Sequence, residues 1–394
     1  MTGPLAGIRV LDLSRVVMGP LATQVLGDQG ADVIMMEAKG GDTNRVMGPG
    51  PHPQLSGVAL NMLRNKRSVD VDLTTARGRA VVHDVLRTCD VVVATMRPQA
   101  LERLGLDYAA VRAIRPDVVY CQGQGYPLAS ERAHEPAYDD IIQAATGVSD
   151  VLARVSGTAG LFPTIFADKV CGLVMAQAVT AALVHRERTG QGQHVEVAMV
   201  QAMSAFMLAE HGSGAIPEPP VSAPGRPAAG YPRILSPERR PHPTLDGLVH
   251  IFPYRPVHYA ALFAAAGREG AADDPRYVDQ RATIANAESL YRDVRAVCAT
   301  RTTQDWLDFC HAAGIPATRV ASLQDLVDEL PLAEHPVTGP YRVIPPMANF
   351  SATPASVRRP APLIGEHTAE VIAEVARDRA RDPSDPDPRL EAAP

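Results

Sequence analysis

The first third of the chain alternates short, nearly continuous apolar runs with amphipathic stretches. "IRVLDLS" at 8–14 predicts a strand; Gly19 and Pro20 follow, and proline suits the first turn of a helix, here continuing over 21–29. "ADVIMME" at 31–37 predicts a second strand. Strands apolar on both faces, joined through a helix, imply a parallel sheet covered on both sides. Further strands are predicted at 67–73, 89–96 and 116–125, with helices at 76–87 and 109–114. The first half reads as α/β and Rossmann-like.

The pattern changes after Gly212. Residues 217–243 hold nine prolines, which suits an extended connection. Beyond it, "HPTLDGLVHIFPY" predicts two short strands around an Asp246-Gly247 turn. Helical patterns at 258–266 and 304–313 follow, giving a smaller α+β domain. The predicted division is a large domain over 1–212, a Pro-rich connection over 213–243, a small domain over 244–330, and a return to the large domain over 331–377. The charged, Pro-rich stretch 378–394 reads as a disordered tail.

Composition narrows the function. The chain has 394 residues, 46% hydrophobic and 21% charged, enough for a sizeable core. A formal net charge of −6 disfavours a broad nucleic-acid-binding face. Five widely spaced cysteines form no CxxC or Cys/His cluster, which argues against a structural zinc site and for a reducing compartment. The opening residues lack a signal-peptide pattern, and no charge-free run of about 18 apolar residues predicts a membrane span. The expectation is a cytoplasmic protein that needs no metal and touches neither membrane nor nucleic acid.

Motifs mostly exclude. The turn after the first strand reads Val16-Val17-Met18-Gly19-Pro20, not GxGxxG, so a nicotinamide site loses its main support. GxSxG, P-loop, HExxH and EF-hand patterns are absent. Glu37, ending the second strand, reads as a solvated carboxylate. The basic stretch Arg64-Asn65-Lys66-Arg67, with Asn61 before it, is either a solvated loop or a phosphate-capturing patch that Arg97 and Arg103 join. Asp139 and Asp140 read as first-turn acids of a helix, and His134 as a loop histidine.

One carboxylate stands apart. "PTIFADKVCGL" sets Asp168 in an apolar run just ahead of a helix at 172–183. It reads either as that helix's N-cap or as a nucleophile towards an activated acyl group, and the two roles are compatible.

In order along the chain, "LAGIRVLDLSRVVMGPLATQVLGDQGADVIMME", "NKRSVDVDL", "MRPQALERLGLDYAAVRAIRPDVVYCQGQGY", "PAYDDIIQAATG", "FADKVCGLVMAQAVTAALVHRERTGQGQHVEVAM" and "PLIGEHTAEVI" resemble the family III CoA-transferases, whose fold is shared by α-methylacyl-CoA racemase. The resemblance implies that Asp168 is the nucleophile, forming an aspartyl anhydride and then an aspartyl-CoA thioester. It implies coenzyme A and acyl-CoA as substrates with a small carboxylic acid as partner, no permanently bound cofactor, and an interlinked homodimer. It places Val16, Val17, Met18, Ala38, Val71, Leu73, Thr74, Thr95, Met96, Arg97 and Arg103 along the CoA, and Tyr138 beside the thioester.

Departures from the family pattern matter. Val17 stands where formyl-CoA transferase has glutamine, which implies a different acyl or acceptor group. Ala38 stands where members often have Arg or Pro, and Thr74 where some have lysine. Tyr138 aligns with the racemases' histidine, and tyrosine is a poor base at neutral pH, which favours transferase over racemase. The third alternative is a catalytically idle CoA-binding protein. No glycine-rich loop like that of formyl-CoA transferase appears; "RILSPERRPHPTLDG" occupies the region, and its Arg239 and Arg240 are either carboxylate ligands or a solvated pair.

Overall fold

The structure is a computed structural model describing residues 3–222, 225 and 227–380. The chain divides into two compact units. The first holds 3–146, Phe162–Phe206 and 330–380; the second holds Gly147–Leu161 and Met207–Glu329.

The first unit is a parallel sheet with helices on both faces. It begins β1 (Arg9–Leu13), α1 (Met18–Asp28), β2 (Asp32–Glu37), α2 (Gly57–Met62), β3 (Lys66–Asp70), α3 (Ala76–Thr88), β4 (Val91–Ala94), α4 (Pro98–Leu104), α5 (Tyr108–Ile114), β5 (Val119–Gln124) and α6 (Asp139–Ala145). The chain then gives α7 (Val148–Ser156) to the second unit and returns with α8 (Phe166–Thr189), β6 (His194–Ala198) and the start of α9 (Met199–His211). The strand order is β3-β2-β1-β4-β5-β6, every pairing parallel. This is the doubly wound order that reverses between β1 and β4, where such sheets open a ligand crevice. Strand alternation sets the two faces. Leu11, Leu13, Val92 and Ala94 meet Val82, Val85, Val111, Val371 and Val375 on one side. On the other, α8 lies against α1 and β5.

Two glycines permit the close approach of α1 and α8 to their neighbours. A Cβ on Gly19 would fall 2.1 Å from the Ser14 Cβ, and one on Gly172 would fall 2.5 Å from the Met18 carbonyl oxygen. With 24 residues, α8 meets the length and apolarity of a membrane span. Within this unit it serves as a packed core helix, with Ala167, Cys171, Met175, Val179 and Ala182 buried.

In the second unit β7 (His242–Pro243), β8 (Leu248–Ile251) and β9 (Ala317–Arg319) form an antiparallel sheet. Around it stand α10 (Pro256–Ala265), α11 (Gln280–Ala285), α12 (Ala287–Cys298), α13 (Thr303–Ala312) and α14 (Leu323–Asp328). Its core gathers Val249, Ile251, Tyr259, Leu262, Phe263, Leu290, Val294 and Trp306. The predicted hairpin forms, closed by the Thr244 N–H donating to the Gly247 carbonyl.

The chain returns to the first unit through β10 (Leu332–His335), β11 (Gly339–Arg342) and α15 (Thr368–Ala380). Several expectations need correction. Segment 147–161 and the stretch from 207 onward cluster with the second unit, so the boundary at 212 does not hold. The Pro-rich segment is not merely a connection: Arg233 and Ser236 are buried within the second unit. Residues 378–380 are helical rather than disordered, and 381–394 lie outside the described residues. Strand β6 was not predicted at all.

Candidate active site

The carboxyl ends of the strands surround a cavity of about 620 Å³ in the first unit. The segments that follow successive strands line it: Arg15 and Val16 after β1, Ala38 after β2, Val71, Leu73 and Thr74 after β3, Thr95, Met96 and Arg97 after β4 with Arg103 in the last turn of α4, and Gly123–Gly125 at the end of β5. Met18, Tyr138 and Asp168 complete the predicted set. Val17 is the exception. It is the N-cap residue of α1, buried beneath the turn and not among the lining residues, so it does not meet a ligand in this cavity.

The β1–α1 turn is held in a strained form. Val16 has φ +68°, which a β-branched residue rarely adopts. Its N–H donates to both Asp42 carboxylate oxygens at 3.2 Å, and its carbonyl accepts from the Asn44 amide at 3.1 Å. Those bonds replace what glycine supplies in a dinucleotide-binding turn.

Asp168 is not a helix cap. Ile165 is the N-cap residue of α8, without a side-chain bond, and Asp168 sits three residues inside the helix. Its backbone N–H donates to Asp139 Oδ1 at 3.0 Å. Asp139 Oδ2 accepts from Gln143 Nε2 at 2.5 Å, and Gln143 Oε1 accepts the Phe162 N–H at 2.8 Å. Both aspartates are 9% exposed. The Asp168 carboxylate itself accepts no hydrogen bond from the described residues, which leaves its oxygens free. Burial, and then the charge of Asp139, push its pKa up to about 6. The helix dipole therefore does not dominate here, yet at neutral pH the ionised form still prevails by about ten to one. Lys169 is exposed and donates to Thr164 Oγ1, so it is no ion-pair partner.

The supposed phosphate patch is structural. Arg64 pairs with Asp28 at 2.6 Å, Lys66 with Asp12 at 3.0 Å, and Arg67 with Asp32 at 2.5 Å and Glu374 at 2.6 Å. All three cations are buried. Asn61 holds the Ile344 N–H and the Arg342 carbonyl. Glu37 is likewise buried, bonded to Arg45 at 2.5 Å and Ser68 at 2.5 Å, not solvated. Arg97 and Arg103 stay at the cavity, joined by Arg15, which sequence reasoning passed over; no carboxylate pairs with any of the three among the described residues. Asp139 does lie in the first turn of a helix, as its sequence position implies, but its carboxylate bonds the Asp168 N–H and Gln143, a role that its type and position in sequence do not distinguish from ordinary capping. His134 is exposed and is not among the lining residues. No cluster of His, Cys, Asp and Glu suited to a metal ion occurs among the described residues.

Comparison with known proteins agrees with this geometry. The chain is 33% identical to the probable fatty acyl-CoA transferase Rv3272 of Mycobacterium tuberculosis, over 94% of this chain and 98% of that one. It is 32% identical to the succinate–glutarate CoA-transferase of Agrobacterium fabrum, over 94% and 96%. The crystal structure of Rv3272 superposes with a TM-score of 0.78 at 30% identity, covering 93% of this chain and 99% of that one. A CaiB/BaiF family protein from Brucella suis gives 0.78 at 26% identity, over 95% and 100%. The family model for CoA-transferase family III matches residues 5–368, and the chain, an acyl-CoA transferase acting on CoA thioesters, belongs to that family.

Proposed function

We propose that the protein moves CoA between an acyl-CoA and a free carboxylic acid, with Asp168 as covalent nucleophile. The observation that carries this reading is the free, largely buried Asp168 carboxylate lining a cavity at the strand ends that Arg97 and Arg103, without carboxylate partners among the described residues, also line. An Asp168 oxygen attacks the thioester carbonyl, the C–S bond breaks, and CoA leaves as thiolate. The thiolate then attacks the aspartyl carbonyl of the anhydride and releases the first acid as carboxylate. The acceptor carboxylate attacks the resulting aspartyl thioester, giving a second anhydride and thiolate. Thiolate attack on the acceptor acyl group forms the new thioester and frees Asp168. No external proton donor or oxidant enters.

The residues suit these steps. Arg15, Arg97 and Arg103 offer guanidinium forks to phosphates. Apolar neighbours such as Met18 and Met199 limit water near the anhydride. Racemisation would need a second base near the α-carbon, and no histidine is among the lining residues. A homodimer fits the exposed apolar side chains of Leu173, Val184 and Phe206 in the first unit, which a second copy would cover. The test pairs a panel of acyl-CoAs with free acids and reads products by mass spectrometry. Exchange, and an adduct trapped on Asp168 by hydroxylamine, are expected; exchange undiminished in Asp168→Asn would overturn the covalent role.

A further inference from the structure

A left-handed valine borders the Asp168 cavity, and one carboxylate keeps it there. Val16 has φ +68° and, with Met18, forms part of the cavity wall. A branched Cβ crowds the backbone at positive φ, so a β1–α1 turn left to itself would relax out of that conformation. The peptide planes flanking Val16 would rotate as it did so, and the wall with them.

Asp42 opposes this. Both its carboxylate oxygens accept the Val16 N–H at 3.2 Å, and Oδ1 also accepts the Asn44 N–H at 3.0 Å. Asn44 closes the other side, its Nδ2 donating to the Val16 carbonyl at 3.1 Å. Asp42 is anchored in turn. Its own N–H donates to Glu37 Oε1 at 3.1 Å, and Glu37, ending β2, is gripped by Arg45 and Ser68. The acid that would hold a ribose in a dinucleotide-binding fold is therefore engaged internally, supporting a turn built without glycine. Asp42 is also the N-cap residue of the short turn Thr43–Val46. Capping asks only for acceptance of the Asn44 N–H; it does not account for two oxygens on a peptide 26 residues away.

We propose that Asp42 is a positioning residue for CoA binding: by holding the Val16 peptide at positive φ, it fixes the β1–α1 wall of the cavity in the form that receives CoA and its thioesters. The proposal rests on the reading of this cavity as the CoA site.

The test is calorimetric titration of the full chain with CoA, carried through a cycle of Asp42→Ala, Val16→Gly and the double variant. Asp42→Ala is expected to weaken CoA binding about tenfold or more. Glycine holds positive φ without help, so in the Val16→Gly background the same substitution should weaken binding less than about threefold. The fall in melting temperature caused by Asp42→Ala should likewise be at least halved beside glycine. Asp42→Asn keeps an oxygen for the N–H and should recover most of the affinity. Asp42→Ser still caps, but its shorter arm does not reach Val16; it should bind as weakly as Asp42→Ala, and it takes that variant's place if alanine prevents folding. Unchanged affinity in Asp42→Ala, an equal loss in both backgrounds, or a serine variant that binds like wild type would each overturn the proposal. Arg103→Gln with undiminished CoA binding would instead count against the cavity as the CoA site.

Discussion

Asp139 Oδ1 accepts the backbone N–H of Asp168 at 3.0 Å, so one buried carboxylate positions the peptide that carries another. The two are 29 residues apart in sequence and lie on the first turns of α6 and α8. The pairing fixes where the Asp168 carboxylate points without occupying its oxygens. It also sets a negative charge beside a group that must be negative to attack.

The pH dependence of exchange follows. With Asp168 at about 6, kcat should fall on the acid side through pH 6, not near the ordinary aspartate range. Asp139→Asn keeps an oxygen for the N–H and removes the charge. Since that charge raises the Asp168 pKa, the acid limb should move to lower pH, which a pH–rate profile of both proteins reads directly. An unmoved limb would show that burial alone sets the value.

Asp168→Asn should abolish exchange by at least about a thousandfold and also stabilise the fold. The sign is fixed by the raised pKa. In the unfolded chain the carboxyl titrates near its ordinary value, so above pH 6 the native state bears the full cost of keeping it ionised. That cost is on the order of 3 kcal/mol and fades as pH falls from 6 towards 4. Melting curves should therefore show the variant more stable at pH 8 and level with wild type near pH 4.

Lys66 and Arg103 separate structural from ligand-binding cations. Lys66→Met leaves Asp12 buried without its countercharge, since Lys66 Nζ also donates to the Pro20 carbonyl at 2.9 Å and Thr23 at 2.7 Å. A loss of about 3–5 kcal/mol is expected in denaturant titration. Arg103→Gln should leave the melting temperature within a degree or two and raise KM for acyl-CoA about tenfold or more.

Gly172→Ala tests the helix contact beneath the nucleophile. The added methyl would meet the Met18 carbonyl, a backbone atom that cannot rotate away, so α8 must move off α1. Overpacking costs about 1–3 kcal/mol. Gly172 lies one turn beyond Asp168, so kcat should fall more than the stability loss explains, as turnover at a temperature well below melting would show.

The apolar runs revealed β1, β2, β4 and β5 because each is buried on both faces, leaving little else those runs could form; β3 differs, since its buried residues include the ion-paired Lys66 and Arg67. The apolar pattern did not reveal β6, whose His194 and Glu196 interrupt the run and whose first residues are only half-covered at the sheet edge. Asp168 stood out through its apolar neighbours, whereas Asp139 did not, because its partner comes from a distant helix. The basic run Arg64–Arg67 misled for the same reason. Its counterions, Asp12, Asp28 and Asp32, come from the opening strands and α1, and only folding brings them together.

Strand β3 lies at the edge of the parallel sheet, and the end of the chain covers it. Asn65 holds the Arg358 N–H at 2.6 Å, Ser68 holds those of Gly365 and His367, and Arg67 grips Glu374 from 307 residues away. A growing chain that has completed β3 must wait for some 300 more residues before that cover emerges. At ribosomal speed this is roughly 15–60 s. Through that interval an unpaired strand edge stands open to any neighbouring polypeptide. Chaperone demand and aggregation during synthesis should track residues 356–374 more than the catalytic segment, and a truncation before Pro340 should be recovered as insoluble protein.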